Sequence, residues 1–301
     1  MNSICEDSLY GRCECKKNYH LPINLVLYDG HCHVDLFFKY GLNENEFSKQ
    51  LSNGRKMVLI DNRHQYQRWL TSYELMMSNV KVYCTYGIHP KYIPLNQEYV
   101  FNQLNDVFKN KFNRKIEIVG IGECGLDETS AFSLESQLVV FRYQLKLAAE
   151  LQLPIVLHGR GIQSFKIMFK ELKIYLSNEH KIYWHCINPK SDLNVISNFL
   201  SYFENSFIGL NCSIIRQGDI ELENDFHKWF AGHKNILSRV IIETDYPFLK
   251  PSVIENDQYN PISGIVLTAQ YIVNLLRKKK MNTTKVIDQS NEHMRRIYNI
   301  N

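Results

Sequence analysis

No apolar run in this sequence exceeds seven residues, far short of the roughly 20 that a membrane-spanning helix needs. A secretory leader is not expected either, because Met1–Tyr10 is polar and carries Glu6 and Asp7. The eight cysteines, Cys5, Cys13, Cys15, Cys32, Cys84, Cys124, Cys186 and Cys212, lack the paired spacing of a disulfide framework. They read as reduced thiols of an intracellular protein, cytoplasmic or nuclear. Strong charge of one sign is missing too: a net charge of +4 permits a polyanionic partner without requiring one. Internal repeats and low-complexity segments are absent, which leaves an ordinary globular chain.

What is present fits that class. The 301 residues are 45% hydrophobic and 22% charged, enough to bury a large core without a structural metal. Residues 1–21 form a polar, cysteine-bearing leader, and residues 22–301 form the body. Cys5, Cys13, Cys15 and His20 could ligate zinc, but their spacing fits no standard finger. Within the body, short runs rich in β-branched and aromatic residues recur at Leu25–Tyr28, Met57–Ile60, Val80–Tyr86, Ile116–Ile121, Pro154–Leu157, Lys181–Trp184, Ser206–Leu210 and Val240–Ile242. Each has the length of a buried strand. Amphipathic stretches separate them: Gln137–Leu151 sets Leu138, Phe141, Leu145 and Ala148 on one face, and Gly264–Leu276 does the same with Ile265, Thr268, Ala269, Ile272 and Leu276. Eight strands alternating with helices predict an α/β fold, a single-domain TIM-type (β/α)8 barrel with parallel strands. The basic run Arg277–Lys280 reads as a solvated helix end.

Five positions carry chemistry, and all fall at the ends of predicted strands. In Asp29-Gly30-His31-Cys32-His33, alternation along a strand turns His31 and His33 to one side and Cys32 to the other. Glu123 follows Ile116–Ile121 among glycines, which suits a bridging carboxylate. His158 and His185 each terminate an apolar run, and Glu243-Thr244-Asp245 ends the last. Taken singly, each has an ordinary reading: a buried core histidine or a loop acid. Their joint order is different, because C-terminal strand ends are where barrel enzymes keep their active sites.

At this point the chain resembles a known family. DGHCHVDL, YGIHP, VGIGECGLD, LPIVLHGRG, YWHCI and IIETDYPFL are similar to the successive signature motifs of TatD-type deoxyribonucleases, within the metal-dependent hydrolase superfamily. The resemblance runs from Asp29 to Ile300, with Asn291 and Arg296-Ile297-Tyr298 matching the closing element. The complete His-x-His resembles the subgroup with a full six-ligand site, which includes animal TatD-domain proteins. The resemblance implies one metal held by His31, His33, Glu123 and Asp245, and a second held by Glu123, His158 and His185. His89 is implied to meet substrate phosphate or a further metal. Arg160 is placed for a phosphate contact, or alternatively for a structural ion pair. Three positions depart from the family pattern: Glu128 replaces an aromatic, Ile187 replaces a Phe, and Gly161 replaces an acid.

The implied activity is hydrolysis of DNA or RNA phosphodiesters by a monomer using two divalent ions: zinc, manganese or magnesium. Asp245 is the candidate for orienting water and accepting its proton. Two rivals stand beside this reading. One is a small-molecule amidohydrolase or lactonase of the same superfamily, many of which bridge their metals with a lysine on strand four. The other is a non-catalytic nucleic-acid-binding barrel.

Overall fold

The structure, a computed structural model, describes residues 21–301 apart from 23, 38, 40, 41, 43, 52, 53, 70–77, 111–115, 216, 217, 252–258 and 277–280. The leader through His20 and the basic run Arg277–Lys280 therefore lie outside the described residues. All eight expected strands form: β1 Leu27–Cys32, β2 Met57–Arg63, β3 Val80–Tyr86, β4 Glu117–Asp127, β5 Ile155–Arg160, β6 Ile182–Trp184, β7 Ser206–Leu210 and β8 Val240–Ile242. They make one parallel sheet in sequence order. The helices are α1 Glu44–Leu51, α2 Gln97–Lys109, α3 Leu134–Leu151, α4 Ile162–Tyr175, α5 Leu193–Tyr202, α6 Ile220–Gly232, α7 Pro261–Leu276 and α8 Thr283–Tyr298. Among the described residues no helix is long and apolar enough to cross a membrane. The described cysteines Cys32, Cys84, Cys124, Cys186 and Cys212 are free and buried.

Alternation along the strands separates two apolar layers. Tyr28, Val58, Ile60, Tyr83, Val119, Val156, Tyr183, Phe207 and Ile241 fill the barrel interior, while the opposite faces pack against the helices. From α8, Met294, Ile297 and Tyr298 join the interior cluster. Asn291 donates to the Val26 carbonyl at 2.8 Å, and Ser290 accepts from the Ile242 amide at 2.7 Å. The closing sequence element is thus a plug that ties β1 to β8.

On α3 the buried stripe is displaced from the expected one. Leu138 is only half-buried, while Gln137 and Gln144 are buried beside Phe141, Leu145 and Ala148. Apolar periodicity passes over glutamines, yet each of these satisfies backbone at a strand end. Gln144 bonds both the amide and the carbonyl of Ile88, at 2.7 and 3.1 Å. Gln137 does the same for Asp127, at 2.8 and 3.1 Å.

Asp29 closes the seam between β1 and β8. Its carboxylate accepts from the His31 amide (3.2 Å), the Thr244 amide (2.9 Å) and the Thr244 hydroxyl (2.5 Å). Beyond it, the Asp245 amide donates to the His31 carbonyl at 2.8 Å, and the His33 amide to the Tyr246 carbonyl at 2.9 Å. Asp29→Ala strands these donors in a dry seam, at roughly 1–3 kcal/mol for each group left unsatisfied. We expect a loss of about 3 kcal/mol in urea unfolding. A loss below about 1 kcal/mol would show that the seam does not depend on this carboxylate.

Candidate metal centre

Simple alternation would aim the key side chains wrongly. Tyr28 faces the interior, so an uninterrupted β1 would turn His31 outward. The pairing with β2 instead slips by one residue between Asp29 and Cys32, and beyond the slip Cys32 packs outward while His31 and His33 point in. β4 slips twice: Val119 faces the interior, a one-residue slip against β3 between Ile118 and Gly120 turns Ile121 to the helices, and a second against β5 between Ile121 and Cys124 returns Glu123 to the inside. Bulges of this kind re-aim side chains beside active sites. At Gly125, with φ of +153°, an added Cβ would lie 1.9 Å from the His158 carbonyl. Only glycine lets β4 and β5 approach closely enough to join Glu123 and His158.

All six expected ligands converge, each at most 7% exposed, and Glu123 stands at their centre. Its Oε1 is 3.6 Å from both His31 Nε2 and His33 Nε2. Asp245 Oδ1 faces the same two nitrogens, at 3.6 and 3.1 Å. Glu123 Oε2 points the other way, 2.9 Å from His185 Nε2 and 3.2 Å from His158 Nδ1, which are themselves 3.1 Å apart. Donors held about 2.0–2.2 Å from one divalent ion at tetrahedral or octahedral angles lie roughly 2.8–3.6 Å from each other. The separations given above fall in that range. Further, neither ring nitrogen of fully buried His31 has a hydrogen-bond partner; a coordinated cation would satisfy Nε2, the nitrogen that faces the carboxylates.

Outer contacts orient the rings. His33 Nδ1 donates to the Asn62 carbonyl at 3.0 Å, and His158 Nε2 to Asp127 Oδ2 at 3.2 Å. His185 Nδ1 faces Glu243 Oε1 at 3.6 Å. In each ring the proton is thereby drawn away from the centre, leaving the inner nitrogen to coordinate. Glu243 itself is fully buried and accepts from Tyr183, from the Cys186 amide at 2.8 Å and from Asn211 at 2.6 Å. The two acids of Glu243-Thr244-Asp245 therefore have different surroundings, Glu243 beneath His185 and Asp245 at the centre. Asp245 and Cys186 each hold φ of +56°, a conformation that non-glycine residues tolerate mainly where neighbouring structure enforces it.

His64 and Asp127 were not singled out from the sequence, and Glu243 was read only together with Asp245, as an acid ending the last strand. His64 Nδ1 lies 3.5 Å from Glu123 Oε1. His64 directly follows β2, but Asp61-Asn62-Arg63 separate it from the apolar run, so the pattern of a histidine closing an apolar run is missing. His89 also reaches the centre, its Nε2 3.9 Å from Glu123 Oε2. Its Nδ1 accepts from the Lys91 amide at 3.0 Å. Burial and the neighbouring His158 push its pKa well down, and with Nδ1 accepting, the neutral ring carries its proton on Nε2. Arg160 is half-buried, donates to Cys186 Sγ at 3.2 Å, and makes no ion pair among the described residues. Two of the departures are neighbours. Glu128 fills the space over Gly161, where a Cβ would lie 2.3 Å from its carboxyl carbon, and its Oε1 accepts from the Ser164 amide in the first turn of α4 at 2.8 Å.

Electrostatics follow from this crowding. Burial alone would raise Glu123, but the imidazoles packed around it, with the bond from His158, hold it well below the carboxylate range. Burial is likewise outweighed at Asp245, held at about 2 by its bond to His33 and by the charge of His31 and His185. Burial opposes protonation of His33, yet Asp245 and Glu123 push it up to about 9, and Glu123 and Glu243 raise His185 well above its ordinary value. Without a cation these two rings hold protons at pH 7.5 that coordination must displace. Loading with zinc or manganese should therefore release about two protons, read as a dependence of the calorimetric heat on buffer ionisation enthalpy. The release should shrink as pH rises past about 9, where His33 is already neutral. Heats independent of buffer would contradict this protonation pattern.

A family model described as TatD related DNase matches residues 28–299. An uncharacterized metal-dependent hydrolase of Buchnera aphidicola is 24% identical over 92% of this chain and 97% of its own length. The human 3'-5' RNA nuclease TATDN2 is 25% identical over 74% of this chain, a match that takes in 28% of that longer protein. Among solved structures, the TatD homologue YjjV of Escherichia coli superposes with a TM-score of 0.69 at 20% identity, over 91% of this chain and 98% of the other. With the family model spanning nearly the whole barrel, the chain belongs to the TatD-related DNase family of metal-dependent hydrolases.

Proposed function

We propose that this protein hydrolyses phosphodiester bonds of nucleic acid, DNA or RNA, with two divalent cations bridged by Glu123. The observation that carries this reading is the division of one carboxylate, with Oε1 toward His31 and His33 and Oε2 toward His158 and His185. His31, His33, Glu123 and Asp245 would hold one cation, and Glu123, His158 and His185 the other. When bound, the cations acidify an attacking water and offset charge on the phosphate oxygens. Asp245, ionised and next to His33, orients that water and accepts its proton. His89 donates from Nε2 to a non-bridging phosphate oxygen, and Arg160 offers a charge-assisted bond to another. Positioning and charge carry phosphoryl transfer, so no protein nucleophile is required.

The rivals find less support. β4 contains no lysine, so the lysine bridge of many amidohydrolases and lactonases has no residue here. A dead scaffold has no use for six buried ligands at coordination spacing. The deciding experiment incubates the protein, loaded with zinc, manganese or magnesium, with end-labelled single-stranded DNA and RNA. Metal-dependent shortening that chelator abolishes is expected. Intact strands together with hydrolysis of a lactone or an amide would overturn the reading.

A further inference from the structure

We propose that the recess between the turns after β1 and β2 binds the phosphate next to the scissile one, with the Arg63 guanidinium as its donor. The site would then grip two consecutive phosphates of a strand. This rests on the nuclease reading above and deepens it by adding a second anion subsite. The recess is lined by Asp35, Arg63, His64, Gln65 and Arg68. Its walls are the turns Val34–Leu36 and Tyr66–Arg68, which follow β1 and β2 at the same barrel end as the cation centre. His64 belongs to both places: its ring lines the recess, and its Nδ1 lies 3.5 Å from Glu123 Oε1. One imidazole therefore separates the recess from the bridging carboxylate, and a strand whose scissile phosphate lies at the centre brings a neighbouring phosphate across it.

Arg63 is suited to such a contact. Its side chain is only 9% exposed and is held along one edge, with Nε donating to Asp61 Oδ2 at 2.9 Å and Nη1 to the Tyr86 hydroxyl at 2.9 Å. The strand end that carries it is fixed too: the Arg63 carbonyl accepts from Trp69 Nε1 at 2.8 Å and from the Gly87 amide at 3.3 Å. Nη2 has no partner among the described residues and is not sealed from solvent. A guanidinium has donors only, so its open edge calls for an acceptor. A phosphate oxygen there receives a charge-assisted bond from a group that is already immobilised. Asp61 does not compete for that edge, because it is fully buried and also accepts from the Val34 amide at 3.0 Å. Asp35 does oppose a phosphate: it lies on the recess wall, 3.1 Å from Arg68 Nη1. Neutralising Asp35 should therefore tighten binding, the reverse of what damage to the wall would do.

The test uses metal-loaded protein and end-labelled strands carrying one methylphosphonate, an uncharged linkage, placed in turn on each side of the bond whose cleavage is read. In the wild type, the neutral linkage on one side should lower kcat/KM at that bond by about 10- to 100-fold, the range of one hydrogen bond to a charged group. Arg63→Lys keeps a cation beside Asp61 but has no planar edge left over. It should lower cleavage of the unmodified strand by the same factor, mostly through KM, and should respond to the methylphosphonate by less than about twofold. Asp35→Asn should do the opposite, lowering KM for the unmodified strand by about threefold or more and losing that gain on the modified one. Should Arg63→Lys fail to fold, Asp35→Asn decides alone. Equal losses on both sides, or Arg63→Lys as sensitive to the methylphosphonate as the wild type, overturn the subsite and leave the nuclease reading standing. A raised KM in Asp35→Asn does the same, being the result expected if a sugar hydroxyl donates to Asp35. Wild-type protein that cuts neither strand would overturn both.

Discussion

Glu123→Ala is expected to abolish hydrolysis and to empty both cation positions, because a single side chain faces both histidine sets. No neighbour substitutes for it: Asp245 approaches only the His31 and His33 side, Asp127 bonds the outer nitrogen of His158, and Glu243 faces that of His185. Removing the carboxylate also leaves His31, His33, His158 and His185 crowded in a buried site without their shared anion, which disfavours a divalent charge there. Metal content by elemental analysis should fall from about two equivalents toward zero, with cleavage lost in parallel. Glu123→Gln keeps one acceptor oxygen and should retain at most one equivalent. Near wild-type metal content and rate in Glu123→Ala would show that the carboxylate does not bridge.

Asp245→Asn should damage turnover far more than folding or substrate binding. The amide keeps the side chain's shape and can retain a contact with His33, so the seam formed by the Asp245 amide and the His31 carbonyl is preserved. It cannot accept a proton, and it brings no charge to offset a cation. General-base contributions run to about 10²–10⁴-fold, and a fall in kcat of at least that lower order is expected, with KM little changed. A decrease of a few-fold, in protein with full metal content, would remove Asp245 from the proton-accepting role.

The eight strands were legible because each is a short apolar run whose composition suits a sheet covered on both faces. The ligands were legible because barrel chemistry gathers at strand ends, and six residues of coordinating type in the right order are hard to produce otherwise. The helical stripe of α3 was only partly legible. Gln137 and Gln144 are buried for what they bond, and hydrophobic period carries no information about that. His64, Asp127 and the place of Glu243 beneath His185 were hidden for a related reason: each acts on a residue distant in sequence, and only the folded sheet sets it beside its partner.

Composition and the order of motifs alone determined the barrel, its family resemblance and the identity of the expected ligands. The direction in which those ligands point was decided by tertiary structure. Period-two alternation counted from Tyr28 or Ile121 turns His31 and Glu123 away from the interior. The one-residue slips against β2 and β5 reverse that parity. A slip is a property of how two strands pair, so neither strand's own sequence could announce it, and it exists only once the neighbouring strands have set the register.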